Sequence, residues 1–182
     1  LGKITNRTKL TDNQLQQLKT IENDFKDISY EKIGLGCTNL IEHRIQTEGP
    51  PIKQKYYPLS PARQRQVNTE LDKMLKEGIV EQSKSSWSSP VVIVIKKDGT
   101  PRFCLDSRRL NEVTKRDNYP IPNLNQVLAN LRNAKYISSI DLSKAFWQIP
   151  LEESSKEKTA FVVPNRGLFQ FTKMPFGLKN SS

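Results

Sequence analysis

Cysteine and histidine are almost missing from this chain. Cys37 and Cys104 are the only cysteines, and His43 is the only histidine. The two cysteines lie far apart with no Cys-x-x-Cys spacing, which excludes a zinc site built on such pairs. Cys104 falls in an apolar run and is expected as a small buried side chain. His43 has no partner pattern and reads as an ordinary surface or packing residue rather than a catalytic one. Long apolar runs are missing too: none reaches the roughly 18 residues that a membrane-spanning helix needs, so no membrane partner is expected. No signal peptide is visible, and the expected compartment is intracellular and reducing. There is no internal repeat and no low-complexity tract.

What the chain has is positive charge, unevenly placed. Its 182 residues carry a net charge of +10, enough length for one domain with a core or a domain plus an extension. Residues 1–50 hold 7 Lys and Arg against 7 Asp and Glu, and residues 51–182 hold 22 against 12. A neutral leader before a basic domain suggests a polyanion partner, most simply nucleic acid; a merely soluble basic surface is the alternative. The chain starts at Leu1 without an initiator Met and stops at Ser182 just after an apolar motif. It is therefore expected to be a piece: of a polyprotein, of a gene model or of a decayed element copy.

Residues 1–50 read as a leader or connector, with the boundary at Gly49-Pro50-Pro51. Within it, Thr11 and Gln14 have capping-box spacing, and Leu15, Leu18, Ile21 and Phe25 predict one amphipathic helix. Ser60-Pro61 opens a second helix with a stripe of Val67, Leu71, Met74 and Leu75, ended by Gly78. Val91 to Ile95 and Arg102 to Leu105 read as a two-stranded finger, turning at Asp98-Gly99 with a basic tip of Lys96 and Lys97. After the extended connector Tyr119 to Pro122, Leu124, Val127, Leu128 and Leu131 have helical spacing. Tyr136 to Ile140 reads as a strand that presents Asp141. Thr159 to Val163 and Leu168 to Thr172 read as another hairpin.

Three segments carry the chemistry. They are Arg102-Phe103-Cys104-Leu105-Asp106-Ser107-Arg108-Arg109-Leu110-Asn111, then Tyr136 to Ile149, then Met174-Pro175-Phe176-Gly177-Leu178-Lys179-Asn180. In the middle segment a β-prone run delivers Asp141, and the small Ala145 and aromatic Phe146 follow. A carboxylate at a strand end can hold a divalent ion through oxygen, as Mg2+ requires. An aromatic just beyond it can floor a nucleotide pocket. The plainer alternative is an Asp that caps a turn and a Phe that fills a core. In this order and spacing the three segments resemble the reverse transcriptase of LTR retrotransposons, specifically the gypsy-type branch, over roughly residues 50 to 182.

The resemblance implies an α+β fold: fingers and a partial palm in residues 51–182, with small antiparallel sheets packed by helices. It implies an RNA-directed DNA polymerase that extends a primer on an RNA or DNA template with dNTPs. In-line phosphoryl transfer of that kind uses two metal ions roughly 3.5–4 Å apart. Asp141 and the backbone carbonyl of Leu142 would be metal ligands, Asp141 the catalytic one. The family's other two carboxylates form an adjacent Asp pair on a later hairpin. Only 41 residues follow Asp141 here, and no Tyr-x-Asp-Asp pattern occurs among them. The Mg2+ site is thus expected to be incomplete and the chain alone inactive.

The incoming triphosphate also needs cations. By resemblance it meets Arg102 and, of the two tip lysines, Lys97; a solvated basic turn is the alternative. Arg supplies a planar fork that binds phosphate oxygens and stacks on a base, where Lys is a mobile point charge. Ala145, Phe146, Phe176 and Gly177 complete the implied dNTP site, with Phe146 beside the sugar where a ring excludes a 2′-hydroxyl. Ala145 stands where this branch commonly has Gly. Asp106, Arg108 and Lys179 fall to the template side, although Asp106 and Arg108 can equally pair and fix the finger. Ser181-Ser182 replaces the family's usual Ala-Pro. The remaining implied partners are the other parts of a Pol polyprotein: protease, RNase H and integrase. The implied location is a cytoplasmic particle or the nucleus. The competing readings are a non-catalytic nucleic-acid-binding remnant and an interaction protein that kept only the fold.

Overall fold

Thr11 starts the first helix as its spacing foretells. Its hydroxyl accepts from the Gln14 N–H while the Gln14 side chain accepts from the Thr11 N–H, and helix α1 runs Asp12–Asp24. The computed structural model describes residues 10–28, 34–95, 99, 101–120, 122–135 and 137–182. The chain forms two compact units, one of residues 1–36 and 122–144, the other of residues 37–121 and 145–182.

The first unit holds α1 and helix α4, Leu124–Leu131, capped by Asn123. The expected stripe of α4 forms, but Leu124, Val127, Leu128 and Leu131 are all exposed. The expected strand over Tyr136–Ile140 is corrected. Tyr136 lies outside the described residues, and residues 137–140 form no strand. Ile137 and Ile140 are exposed. A β-prone run becomes a strand only when a neighbour completes its hydrogen-bond ladder, and no described segment pairs with this one.

The second unit is built on helix α2, Pro61–Lys76. Ser60 caps it with its hydroxyl on the Arg63 N–H, and Pro61 occupies the first helical position, where its missing N–H costs nothing. At the far end Gly78 has φ +66°. The Gly78 N–H then reaches the Leu75 carbonyl and the Ile79 N–H the Met74 carbonyl, which satisfies the last turn. Val67, Leu71 and Met74 are buried, and Ile79 continues the stripe.

Strand β1, Val80–Gln82, leaves this cap and pairs antiparallel with β5, Gly167–Phe171, which pairs in turn with β4, Phe161–Val163. Val80 faces Phe171 in register, and Phe161 faces Phe169. Asn165 at φ +62° and Gly167 at φ +113° close the hairpin turn. The finger is the second sheet: β2, Val91–Ile95, against β3, Pro101–Leu105. Its tip lysines, Lys96 and Lys97, lie outside the described residues. Phe103 points from β3 into the core, edge-on to the fully buried Phe161 at 5.3 Å between ring centres. Phe161 also meets Phe171 at 5.3 Å. These rings join the two sheets, with a bridge from Ser89 to Phe161 beside them. Cys104, on the opposite face of β3 from Phe103, is half-buried rather than buried, and burial raises its thiol pKa.

Residues 37–54 lie along this unit as an extended belt. The N–H groups of Thr38, His43 and Glu48 donate to the carbonyls of Gln148, Pro150 and Val113. Ile45 is buried and its N–H donates to the hydroxyl of the fully buried Ser155 at 2.9 Å. His43 is half-buried in the belt, and burial lowers its pKa.

Candidate nucleotide and template site

Strand β3 alternates its side chains across the finger. Phe103 and Leu105 go to the core; Arg102 goes out, paired across the ladder with Val94. Its guanidinium carbon stands 5.7 Å from the centre of the Phe176 ring, the geometry of a cation–π contact. On the exposed surface such a contact contributes about 0.5–1 kcal/mol.

Phe146 reaches the same ring from a different part of the chain. A 3-10 turn spans Ala145–Gln148. After it the backbone runs antiparallel to residues 172–174: the Leu151 N–H donates to Thr172 and the Met174 N–H to Ile149, both at 2.9 Å. That register sets the turn opposite the loop that follows Met174. Phe146 and Phe176 pack at 4.9 Å between ring centres, tilted by 56°. Trp147 also meets Phe176, at 6.1 Å. Phe146 and Phe176 are half-buried, so each ring keeps an open part. Ala145, half-buried, opens the turn beside them.

Gly177 takes φ +92°, a conformation that side chains resist. An added Cβ would also stand 3.2 Å from the Ser107 hydroxyl oxygen. Its carbonyl accepts two hydrogen bonds at 2.8 Å, from the Ser107 hydroxyl and from the Asn111 amide.

Asp106 and Arg108 do pair. Arg108 offers Nε and Nη2 to the two carboxylate oxygens of Asp106 at 2.8 and 2.7 Å, a bidentate fork. The Tyr57 hydroxyl donates to Asp106 as well, at 2.9 Å. The fork, with Tyr57 in support, holds the Asp106 pKa down to about 2. Arg108 is raised above its ordinary value by the same carboxylate. The Arg108 side chain remains 81% exposed, so the pairing fixes its direction without covering it. Lys179 behaves differently: its ammonium donates to the carbonyls of Thr114 and Asn111, at 2.8 and 3.1 Å, at the C-terminal end of the short helix α3, Arg108–Val113. Lys97 lies outside the described residues.

Of the residues picked from sequence, the structure thus gathers Arg102, Phe146, Phe176 and Gly177, and sets Asp106 and Arg108 at the exit of β3. Sequence reasoning missed Tyr57, Ser107 and Asn111. Tyr57 sits 49 residues from its partner Asp106. Ser107 and Asn111 stand inside a segment already singled out, but their polar groups act on the third segment, 70 and 66 residues on.

The family described as reverse transcriptase (RNA-dependent DNA polymerase) matches residues 94–182. The chain is 38% identical over 172 residues to the retrovirus-related Pol polyprotein from transposon 297 of Drosophila melanogaster, covering 91% of this chain and 16% of that protein. It is 36% identical over 178 residues to the Pol polyprotein from transposon gypsy of the same fly, covering 90% and 17%. The foamy viral protease-reverse transcriptase, solved in complex with an RNA/DNA hybrid, superposes with a TM-score of 0.84 at 25% identity over 97% of this chain and 24% of the viral one.

Residues 94–182 of this chain belong to the reverse transcriptase family. The chain spans about a sixth of the length of the retrotransposon Pol polyproteins it matches, and its fold is the α+β fold of the solved reverse transcriptases. Reverse transcriptases as a family use divalent metal ions. In this reverse transcriptase segment, Asp141 and Leu142 lie in the first unit, exposed and outside any helix or strand. Among the described residues, no three His, Cys, Asp or Glu side chains gather around one point. The described residues therefore do not fit a two-metal centre by themselves. Among them, too, no helix is long and apolar enough to cross a membrane.

Proposed function

We propose that this segment carries nucleotide-contacting and template-contacting parts of an RNA-directed DNA polymerase that extends a primer on an RNA or DNA template with dNTPs. One observation supports the reading above others: Arg102, Phe146 and Phe176, from three separate motifs, share one cationic and aromatic cluster. The Arg102 fork suits phosphate oxygens or the face of a base. The Phe146 ring would bar a 2′-hydroxyl, Ala145 would lie beside it, and Gly177 would let the backbone come close to the nucleotide. Lys97 belongs to the same triphosphate contact in this reading. Arg108, aimed by Asp106, would meet the template backbone, with the charge of Lys179 behind it. Binding of an RNA/DNA hybrid by the solved foamy viral relative favours such a partner.

Asp141 and the Leu142 carbonyl would hold Mg2+ together with carboxylates that these 182 residues do not include. When bound, the ions supply charge stabilisation for in-line phosphoryl transfer. Residues 51–182 would then be fingers and the first part of a palm, residues 1–50 the connector from a protease, and RNase H and integrase further parts of the polyprotein. The location in the cell belongs to this reading as well. The net charge of +10, all of it in residues 51–182, supports a second reading, nucleic-acid binding without catalysis. The test is Asp141→Asn in a polymerase that carries this segment. The substitution keeps size and removes the charge a metal needs. Extension should vanish while template binding stays nearly unchanged; near-normal rates would make Asp141 structural.

A further inference from the structure

The third motif is tied to the first by side chains that the proposed reaction does not use. Ser107 and Asn111 both donate to the Gly177 carbonyl. The same Asn111 amide accepts, through Oδ1, from the Lys179 N–H at 2.9 Å. Asn180 continues the seam: its Nδ2 donates to the Lys115 carbonyl at 2.7 Å and its Oδ1 accepts from the Asp117 N–H at 3.2 Å. Lys179 closes it from the other side on the carbonyls of Asn111 and Thr114.

We infer that Asn111 is a positioning residue, which locks the Phe176–Gly177 turn to the helix that begins at Arg108, so that the nucleotide-facing and template-facing residues move as one body. The chemistry of the side chain carries the argument. A carboxamide presents one donor and one acceptor at once, and here it meets a carbonyl and an N–H two residues apart on the loop, as a neighbouring strand would. Asp keeps the acceptor but turns an oxygen toward the Gly177 carbonyl; Ala keeps neither. Ser107 alone gives the turn one bond, which leaves it free to pivot. Helix α3 has only six residues, too few to be stable without such ties. Phe176 holds both the Arg102 and the Phe146 contacts, so a turn that pivots would loosen the cluster at its centre.

The inference rests on the functional reading above for its kinetic consequence and on the structure alone for the lock, and the experiment has one arm for each. On the 182-residue chain, hydrogen exchange at the Lys179 amide should speed up in Asn111→Ala and stay slow in Asn111→Asp. Unchanged exchange in Asn111→Ala overturns the lock. In a polymerase that carries the segment, Asn111→Asp should raise KM for dNTP about tenfold, the equivalent of one lost hydrogen bond, and Asn111→Ala at least as much, with kcat nearly kept. A merely structural Asn111 would instead lower kcat with the folded fraction and leave KM alone, and that result overturns the positioning role. Ser107→Ala, which takes the other donor from Gly177, carries the same expectation for KM if Asn111→Ala fails to fold. The effects of Ser107→Ala and Asn111→Asp should not add; additive effects count against a shared lock. A parent polymerase that fails to extend a primer refutes the functional reading instead, and leaves the exchange result to decide the lock.

Discussion

Arg102 lies over the ring of Phe176, its guanidinium carbon 5.7 Å from the ring centre, although the two residues belong to different motifs and different elements. The contact pre-aims a planar cation from the outward face of β3. Lysine cannot copy it, because its ammonium is a compact, strongly hydrated point charge. In a polymerase that carries this segment, Arg102→Lys should raise KM for dNTP about tenfold with kcat and melting temperature little changed. Steady-state kinetics with one dNTP varied check this. An unchanged KM would mean that charge, not the planar stack, is what matters.

Phe146 is the second partner of that ring, and its role divides cleanly between gate and packing. As a gate, Phe146→Val admits a 2′-hydroxyl, so the ratio of kcat/KM for dNTP over rNTP falls with only modest loss for dNTP. As packing, the truncation leaves a cavity, somewhat below the about 3–5 kcal/mol of a Phe→Ala change. Both substrates then suffer together and Tm drops. Measuring both ratios and melting on one preparation separates the cases, and unchanged discrimination with lowered Tm makes Phe146 a packing residue.

Asp106 sets a pH dependence. Its folded pKa of about 2 lies below the ordinary carboxylate value, because Arg108 and Tyr57 donate to its charged form. A depressed folded pKa gives stability that is present above the unfolded value of about 4. That stability is lost as pH falls from there through about 2. Melting temperatures between neutral pH and acid should therefore fall less steeply below about pH 4 in Asp106→Asn than in the parent. Parallel curves would show that the fork contributes nothing to folding.

The isolated chain should bind nucleic acid and fail to extend a primer. Its +10 charge sits wholly in residues 51–182. Phosphate contacts release counterions, so affinity should drop steeply from low to physiological salt. A fluorescence titration of a labelled primer–template at several salt concentrations reads this, and salt-independent binding would oppose it. Primer extension with Mg2+ or Mn2+ reads the second half; template-dependent product that disappears in Asp141→Asn would contradict the expected inactivity.

Local signals were legible in the sequence. Thr11 with Gln14, Ser60 with Pro61, and Gly78 announce helix ends because their partners lie within a turn of the backbone. The finger and the second hairpin announce themselves through alternation and turn residues, and Phe103 and Phe161 fall in the core as their strands require. The candidate site was half legible. Arg102, Phe146 and Phe176 could be picked by their motifs, but nothing in the residue order shows that one ring serves both of the others. Asp106 with Arg108 left two readings open, and geometry shows both compatible: the pair forms and the Arg108 side chain still faces solvent. Residues 137–140 went the other way. Their composition favours a strand, but strand formation needs a partner backbone that composition does not supply.

The belt of residues 37–54 has a consequence for where this molecule can be cut. Gly49-Pro50-Pro51 looks like a seam by composition, yet a break there would tear Ile45 out of a closed interior. It would leave the Ser155 hydroxyl buried without the N–H that it now accepts. The smallest excisable piece that keeps this unit whole begins near Cys37. A protease trimming inward from Leu1 should therefore leave its last stable product there, some dozen residues short of the proline pair.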